Sequence, residues 1–321
     1  MEPVEKLAEN LYRIRVGSPA PFVATNVYVT IRNESPILVD CGLNSDLSYS
    51  QLRNGLKQLK VNLAQTQAIF LTHGHLDHAG LASRVSQESG CGVFAHREEF
   101  DMIGSWSDHI RKRIGLLLED WRRMGITEEV FASVQHYLTT VLKYDFSLRA
   151  ESVTYDTAEE YGLKLVEMPG HTRGSVGFEP IEHPGLLISG DTVLDTLTSL
   201  LTNFEDFLST LDKLDSSNKI ELLLPGHGEP LSPVKKWVRS AKAKYLGRVE
   251  TTLSLINEPS TLYSVSRGIY AKNFEDPNEF GMKLTLILQQ TQVFLDYLVK
   301  KGRARRFTVG DQVLFQAKSN E

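Results

Sequence analysis

Nine residues, Thr72–Gly80, constrain the chain more than any other stretch; they read Thr-His-Gly-His-Leu-Asp-His-Ala-Gly. His73, His75, Asp77 and His78 place three imidazoles and a carboxylate within six residues. The apolar run Ala68-Ile69-Phe70-Leu71 before them predicts a buried strand within Gln67–Leu71. Leu76, Ala79, Leu81, Ala82 and Val85 follow at helical spacing, so Leu76–Ser86 reads as a helix. The cluster therefore sits on a strand-to-helix loop. Extended backbone sends alternate side chains the same way, so His73 and His75 can share one target. Asp77 and His78, on the first helical turn, can reach a neighbouring one. Imidazole with carboxylate suits zinc, iron or manganese.

The surrounding pattern alternates strands with helices, which predicts an α/β layered core. Strands are expected at Leu11–Val16, Asn26–Ile31, Pro36–Asp40 and Gly92–His96, with a helix over Asp46–Leu59. Arg97–Arg149 interrupts this order with two amphipathic stretches, Arg97–Met124 and Glu128–Tyr144, the second capped by Thr127. Ile110, Ile114, Leu117, Leu118 and Trp121 form one apolar stripe; Val130, Phe131, Val134, Tyr137, Leu138 and Val141 form another. The pair can pack on the core, cap a site, or both. Strands resume at Ser152–Tyr155, Leu163–Met168, Ser175–Pro180, Leu186–Ser189 and Ile220–Leu224, with a helix over Leu197–Leu214. Three of these strands end in polar clusters: Pro169-Gly170-His171-Thr172, Gly190-Asp191-Thr192 and Pro225-Gly226-His227-Gly228. His171, Asp191 and His227 thus add ligand-type groups beside glycines that let the backbone turn sharply.

A chain of 321 residues suits one large domain and a small one. Charge supports a boundary near Pro233: there are 20 Lys and Arg against 32 Asp and Glu up to that point, and 15 against 8 beyond it. Helices are expected over Val234–Ile256, Leu262–Tyr270 and Glu279–Lys301, then a hairpin of Arg306–Val309 and Gln312–Gln316 across Gly310-Asp311. Helix, helix, helix, hairpin is a winged-helix order. The domains expected are 1–232, carrying the helical insert 97–149, and 233–321. Only Cys41 and Cys91 occur, which argues for a reducing compartment. The charged start lacks an apolar signal core and no run is long enough to span a bilayer, so a cytoplasmic protein with no membrane partner is expected.

Thr-His-Gly-His-Leu-Asp-His, Pro-Gly-His-Thr, Gly-Asp and Gly-His-Gly, in this order, resemble the metallo-β-lactamase superfamily of metallohydrolases. His171 followed by Asp191 is similar to its glyoxalase II-like branch, and the C-terminal part resembles the winged-helix tail of many lactamase-like hydrolases. The resemblance implies an αββα sandwich with two divalent metal ions, zinc first and iron or manganese as alternatives. It implies that His73, His75 and His171 hold one metal, that Asp77, His78 and His227 hold the other, and that Asp191 and a hydroxide bridge them. Asp77 would also orient the hydroxide and help protonate the leaving group, and Asp40 would fix an imidazole tautomer from behind. The function expected is hydrolysis of a thioester, lactone or other ester-type bond of a small molecule. The alternative is an endoribonuclease cleaving single-stranded RNA, with Arg303, Arg305 and Arg306 contacting phosphates. Oligomeric state stays open, a homo-oligomer included.

Overall fold

The computed structural model describes residues 4–195, 197–274 and 280–318. In chain order, the elements are β1 (Val4–Ala8), β2 (Leu11–Val16), β3 (Thr25–Arg32), β4 (Ser35–Val39), α1 (Asp46–Gln58), β5 (Ala68–Phe70), α2 (Leu76–Ala79), α3 (Ala82–Ser89) and β6 (Gly92–Ala95). The insert supplies α4 (Phe100–Gly104), α5 (Trp106–Arg123) and α6 (Glu128–Val141). Then come β7 (Glu151–Ser152), α7 (Tyr155–Glu160), β8 (Leu163–Glu167), β9 (Val176–Pro180), β10 (Leu186–Gly190), α8 (Phe204–Ser216) and β11 (Leu222–Pro225). The C-terminal part holds α9 (Val234–Ser254), α10 (Leu262–Ile269), α11 (Phe280–Lys300), β12 (Ala304–Val309) and β13 (Gln312–Ala317).

Two sheets form the centre. Strands β1 to β7 lie in sequence order, the first four antiparallel and β4 to β7 parallel. The second sheet runs β11-β10-β9-β8, with only β10 and β11 parallel. Strand periodicity sorts each side chain into a layer. Tyr28, Ala68, Phe70, Ile188 and Leu224 fill the core between the sheets. Their chain neighbours Val27, Val29 and Ile69 face α1 and α3 on the outer side of the first sheet. Leu187 and Leu223 face α8 and the C-terminal helices on the outer side of the second. Helix, sheet, sheet, helix is the layer order expected from the sequence.

The carboxyl ends of β4, β5, β8, β10 and β11 deliver Asp40, the Thr72–Gly80 loop, His171, Asp191 and His227 to one edge. Bonds between the sheets hold that edge shut. The Tyr28 hydroxyl and the Asn26 amide both donate to the Pro225 carbonyl, at 2.7 and 2.9 Å, and Val176 N donates to Thr72 O at 2.9 Å.

Several expected elements differ in extent. Residues 197–203 form a loop, and the helix begins at Phe204, where the Asn203 side chain accepts from Glu205 N and Asp206 N. The loop's backbone is used elsewhere: Thr202 N and Asn203 N donate to Gly170 O, and the Ser199 carbonyl accepts the Tyr245 hydroxyl. Leu76–Ser86 is two helices, because Leu81 N turns aside to Gly42 O at 3.0 Å. Arg97–Met124 breaks at Ser105, whose backbone is extended. The strand expected over Ser152–Tyr155 stops at Ser152, since Thr154 caps α7 by accepting from Thr157 N. The start of the helix expected at Glu279 lies outside the described residues.

One apolar cluster joins Ile114, Leu118 and Trp121 of α5, Val130 and Val134 of α6, Phe207 of α8, Tyr245 and Val249 of α9, Leu284 and Phe294 of α11, and Phe315 of the hairpin. The Trp121 indole N–H donates to Gln292 Oε1 of α11 at 2.7 Å. The insert and the C-terminal elements therefore bury their stripes against one another and against the second sheet. Among the described residues no helix is long and apolar enough to cross a membrane.

Candidate metal centre

The seven expected ligands and Asp40 meet at the sheet edge, and burial is deep: His73, His78, His171 and His227 are all in the buried class. For four imidazoles one ring nitrogen is already engaged. His73 Nδ1 lies 3.0 Å from Thr72 Oγ1, His78 Nδ1 donates to Asp40 Oδ2 at 2.8 Å, His171 Nδ1 donates to Leu200 O at 2.5 Å, and His227 Nδ1 donates to Ala24 O at 2.8 Å. That engages Nδ1 on the outer side and leaves each Nε2 facing inward, free to bind an ion once deprotonated.

The inward atoms form three overlapping sets able to hold an ion: His73, His75 and His171; His73, His78 and Asp191; and Asp77, His78 and His227. His171 Nε2 lies 3.2 Å from His73 Nε2 and 2.9 Å from His75 Nδ1. His227 Nε2 lies 3.3 Å from both His78 Nε2 and Asp77 Oδ2. Ligands about 2.0–2.1 Å from a tetrahedral ion stand roughly 3.3 Å apart, so these are the edges such a site requires. Asp191 stands between the groups: Oδ1 is 3.5 Å from His78 Nε2, and Oδ2 is 3.8 Å from His171 Nε2 and 3.5 Å from His227 Nε2. Its Oδ1 is buried with no hydrogen-bond partner. A buried carboxylate oxygen facing imidazole acceptors fits a bound cation.

Electrostatics divide the cluster. Burial holds His73, His75 and His171 below the usual imidazole range. Burial also opposes charge on His78, yet Asp191 and Asp40 lift it to about 10, and Asp191 and Asp77 likewise raise His227. Asp77 and Asp191 are held below the carboxylate range despite burial, by His78 and His227. Asp40 has φ 62° and uses both oxygens: Oδ1 accepts from Thr72 N, and Oδ2 from Thr72 Oγ1 and His78 Nδ1. A left-handed aspartate is a strained choice that over-determined bonding sustains.

Sequence reading missed two supports. The buried Glu99 accepts from Gly74 N at 2.7 Å and Gly174 N at 2.8 Å, tying the His73–His75 loop to the loop after His171. Tyr245 of α9 holds Ser199, next to the Leu200 carbonyl that orients His171. Neither lies in a motif. By contrast, two of the arginines considered for phosphate are committed locally: Arg303 makes two bonds to Glu250 at 2.7 Å, and Arg305 bonds Gln316.

A cavity of about 260 Å³ opens on the cluster. His75, Asp77, His171, Asp191 and His227 form its floor; Trp106 and Ile114 of α5, Tyr137 of α6, and Met282 and Leu286 of α11 help to wall it. The insert is thus a cap, and the C-terminal part contributes one side of the entrance.

The Metallo-beta-lactamase superfamily model matches residues 20–227. The probable metallo-hydrolase YqjP of Bacillus subtilis is 24% identical, over 96% of this chain and 98% of its own length. A beta-lactamase-like protein 2 homolog of Caenorhabditis elegans is 25% identical over 84% of this chain and 80% of its own. A metallo-beta-lactamase family protein of Thermus thermophilus shares the fold with a TM-score of 0.77 at 23% identity, covering 98% of this chain and all of that one.

Proposed function

We propose that this chain, which belongs to the metallo-beta-lactamase superfamily of metallo-hydrolases, cleaves thioester, lactone or other ester-type bonds of small molecules at a two-metal centre. The observation that carries this reading is the position of the His/Asp floor at the bottom of a small cavity with mostly apolar walls. His73, His75 and His171 would hold one divalent ion, and Asp77, His78 and His227 the other, with Asp191 shared. Zinc suits the donor set first, and iron or manganese also accept it. Bound there, the ions supply Lewis acidity and make hydroxide available at neutral pH.

The protein's own groups do the rest. Asp40, Thr72, Ala24 and Leu200 keep the imidazoles aimed. The apolar wall packs the acyl part and keeps bulk water from the reacting carbon. Hydrolysis forms a carbon–oxygen bond, breaks the carbon–sulfur or carbon–oxygen bond to the leaving group, and moves one proton onto the departing thiolate or alkoxide. Asp77, which lines the cavity with its Oδ2 3.3 Å from His227 Nε2, is the group placed to carry that proton. The winged-helix-like order of α9, α10, α11 and the hairpin serves here to shape the entrance through α11. The small size of the cavity, about 260 Å³, and the local pairing of Arg303 and Arg305 favour a small substrate over RNA.

A hydrolysis screen of the metal-loaded protein over thioesters, lactones and short single-stranded RNA tests the reading. Turnover of an ester-type substrate that stops in Asp77→Asn supports it. RNA cleavage with no ester hydrolysis overturns it.

A further inference from the structure

We infer that α5 carries a recognition site for an anionic group on the substrate, a terminal carboxylate, with Arg113 as its anchor on the helix face it shares with Trp106 and His109. This rests on the ester-hydrolase reading and narrows it to short acyl esters or thioesters that carry a carboxylate at the far end of the acyl chain.

The observations are geometric. Trp106, His109 and Arg113 line the cavity and stand at i, i+3 and i+7, so they share one face of α5. Trp106 Nε1 and His109 Nε2 are both buried without a hydrogen-bond partner. A buried indole N–H without a partner costs free energy unless an acceptor arrives. Arg113 is the only lysine or arginine among the described residues that line the cavity. It makes no ion pair or hydrogen bond among the described residues; Glu99 acts on it electrostatically, but both Glu99 oxygens are already taken by Gly74 N and Gly174 N. Acidic lining residues among those described are Asp77 and Asp191 alone, both within the metal-ligand cluster. The α5 side of the cavity therefore offers a cation and, among the described lining residues, no carboxylate.

A planar guanidinium fork matches a carboxylate, which accepts two parallel bonds. Ile110 and Ile114 lie on the same face and suit the methylenes between that carboxylate and the scissile carbonyl. The cavity volume of about 260 Å³ suits a short acyl chain. A polymeric phosphodiester would have to leave most of its charge outside.

The test compares two thioesters of one length, a glutaryl thioester and the analogue whose far carboxylate is a carboxamide. The metal-loaded protein should favour the first by about tenfold or more in kcat/KM, the range of a charge-assisted hydrogen bond. Arg113→Gln should bring that ratio close to one, and Arg113→Lys should recover part of it. Should Arg113→Gln not fold, Trp106→Phe, which removes the indole N–H, must lower the same ratio. A wild-type ratio near one, or a ratio that Arg113→Gln leaves unchanged, overturns the inference. If neither thioester is hydrolysed, the ester-hydrolase reading is decided by its own screen, and calorimetric binding decides this one. Glutarate should then bind the metal-loaded protein about tenfold more tightly than butyrate, and that preference should vanish in Arg113→Gln. Equal binding of the two acids overturns it.

Discussion

Asp40 Oδ2 accepts the Nδ1–H of His78 at 2.8 Å, and the pair is almost completely buried. The same oxygen accepts the Thr72 hydroxyl, whose own oxygen lies 3.0 Å from His73 Nδ1. One carboxylate thus orients imidazoles of both proposed metal sites. Asp40→Asn keeps the shape and tolerates positive φ, but removes the charge. It is expected to lower metal affinity by about 10–100-fold, measured by competition with a chromogenic chelator. Unchanged affinity would show that Asp40 is only a turn residue.

Tyr245→Phe removes the hydroxyl that holds the buried Ser199 carbonyl. An orphaned buried carbonyl costs about 1–3 kcal/mol, to be read from denaturant unfolding. Because Leu200 follows Ser199 and orients His171, metal affinity should fall as well. A loss of stability with full metal affinity would confine Tyr245 to packing.

Gly226 has no room for a side chain. A Cβ there would sit 2.5 Å from both Asp191 Oδ1 and His78 Cε1. Gly226→Ala should cost about 1–3 kcal/mol by overpacking and should reduce bound metal, checked by melting and by elemental analysis. Normal metal content would mean that the loop moves aside without disturbing either ligand.

Metal uptake should release protons. Without metal, Asp191, Asp40 and Asp77 push His78 up to about 10 despite burial, and Asp191 and Asp77 also raise His227, so the carboxylates favour protons on this pair that metal must displace. Affinity should therefore rise with pH between 7 and 9. The stability linkage of the stripped protein has the opposite sign: the raised His78 contributes fully below pH 6.5, and that contribution fades as pH climbs towards 10. Calorimetry in buffers of differing ionisation heat reads the protons released. A pH-independent affinity would contradict this picture.

What the sequence disclosed followed from local rules. Three histidines and an aspartate after a short apolar run define a loop, and glycines beside His171, Asp191 and His227 mark sharp turns at strand ends. The layers followed from two-residue alternation, as Val27, Tyr28 and Val29 illustrate by splitting between two cores. The structure added what depends on distant partners. Residues 197–203 lost their helix because Gly170, His171 and Tyr245 claim that loop's backbone groups. Glu99 gained a role through two backbone N–H groups that no pattern identifies. Arg113 looked like one more polar residue of an amphipathic helix until the cavity formed around it.

The proposed centre is a pair of ions sharing Asp191. Its most direct test is elemental analysis of protein purified without chelator, wild type beside Asp191→Ala. About two divalent ions per wild-type chain are expected. A sharp fall is expected in Asp191→Ala, with loss of ester hydrolysis in step. A wild-type protein that binds no metal, or an Asp191→Ala variant that keeps two ions and full activity, would contradict it.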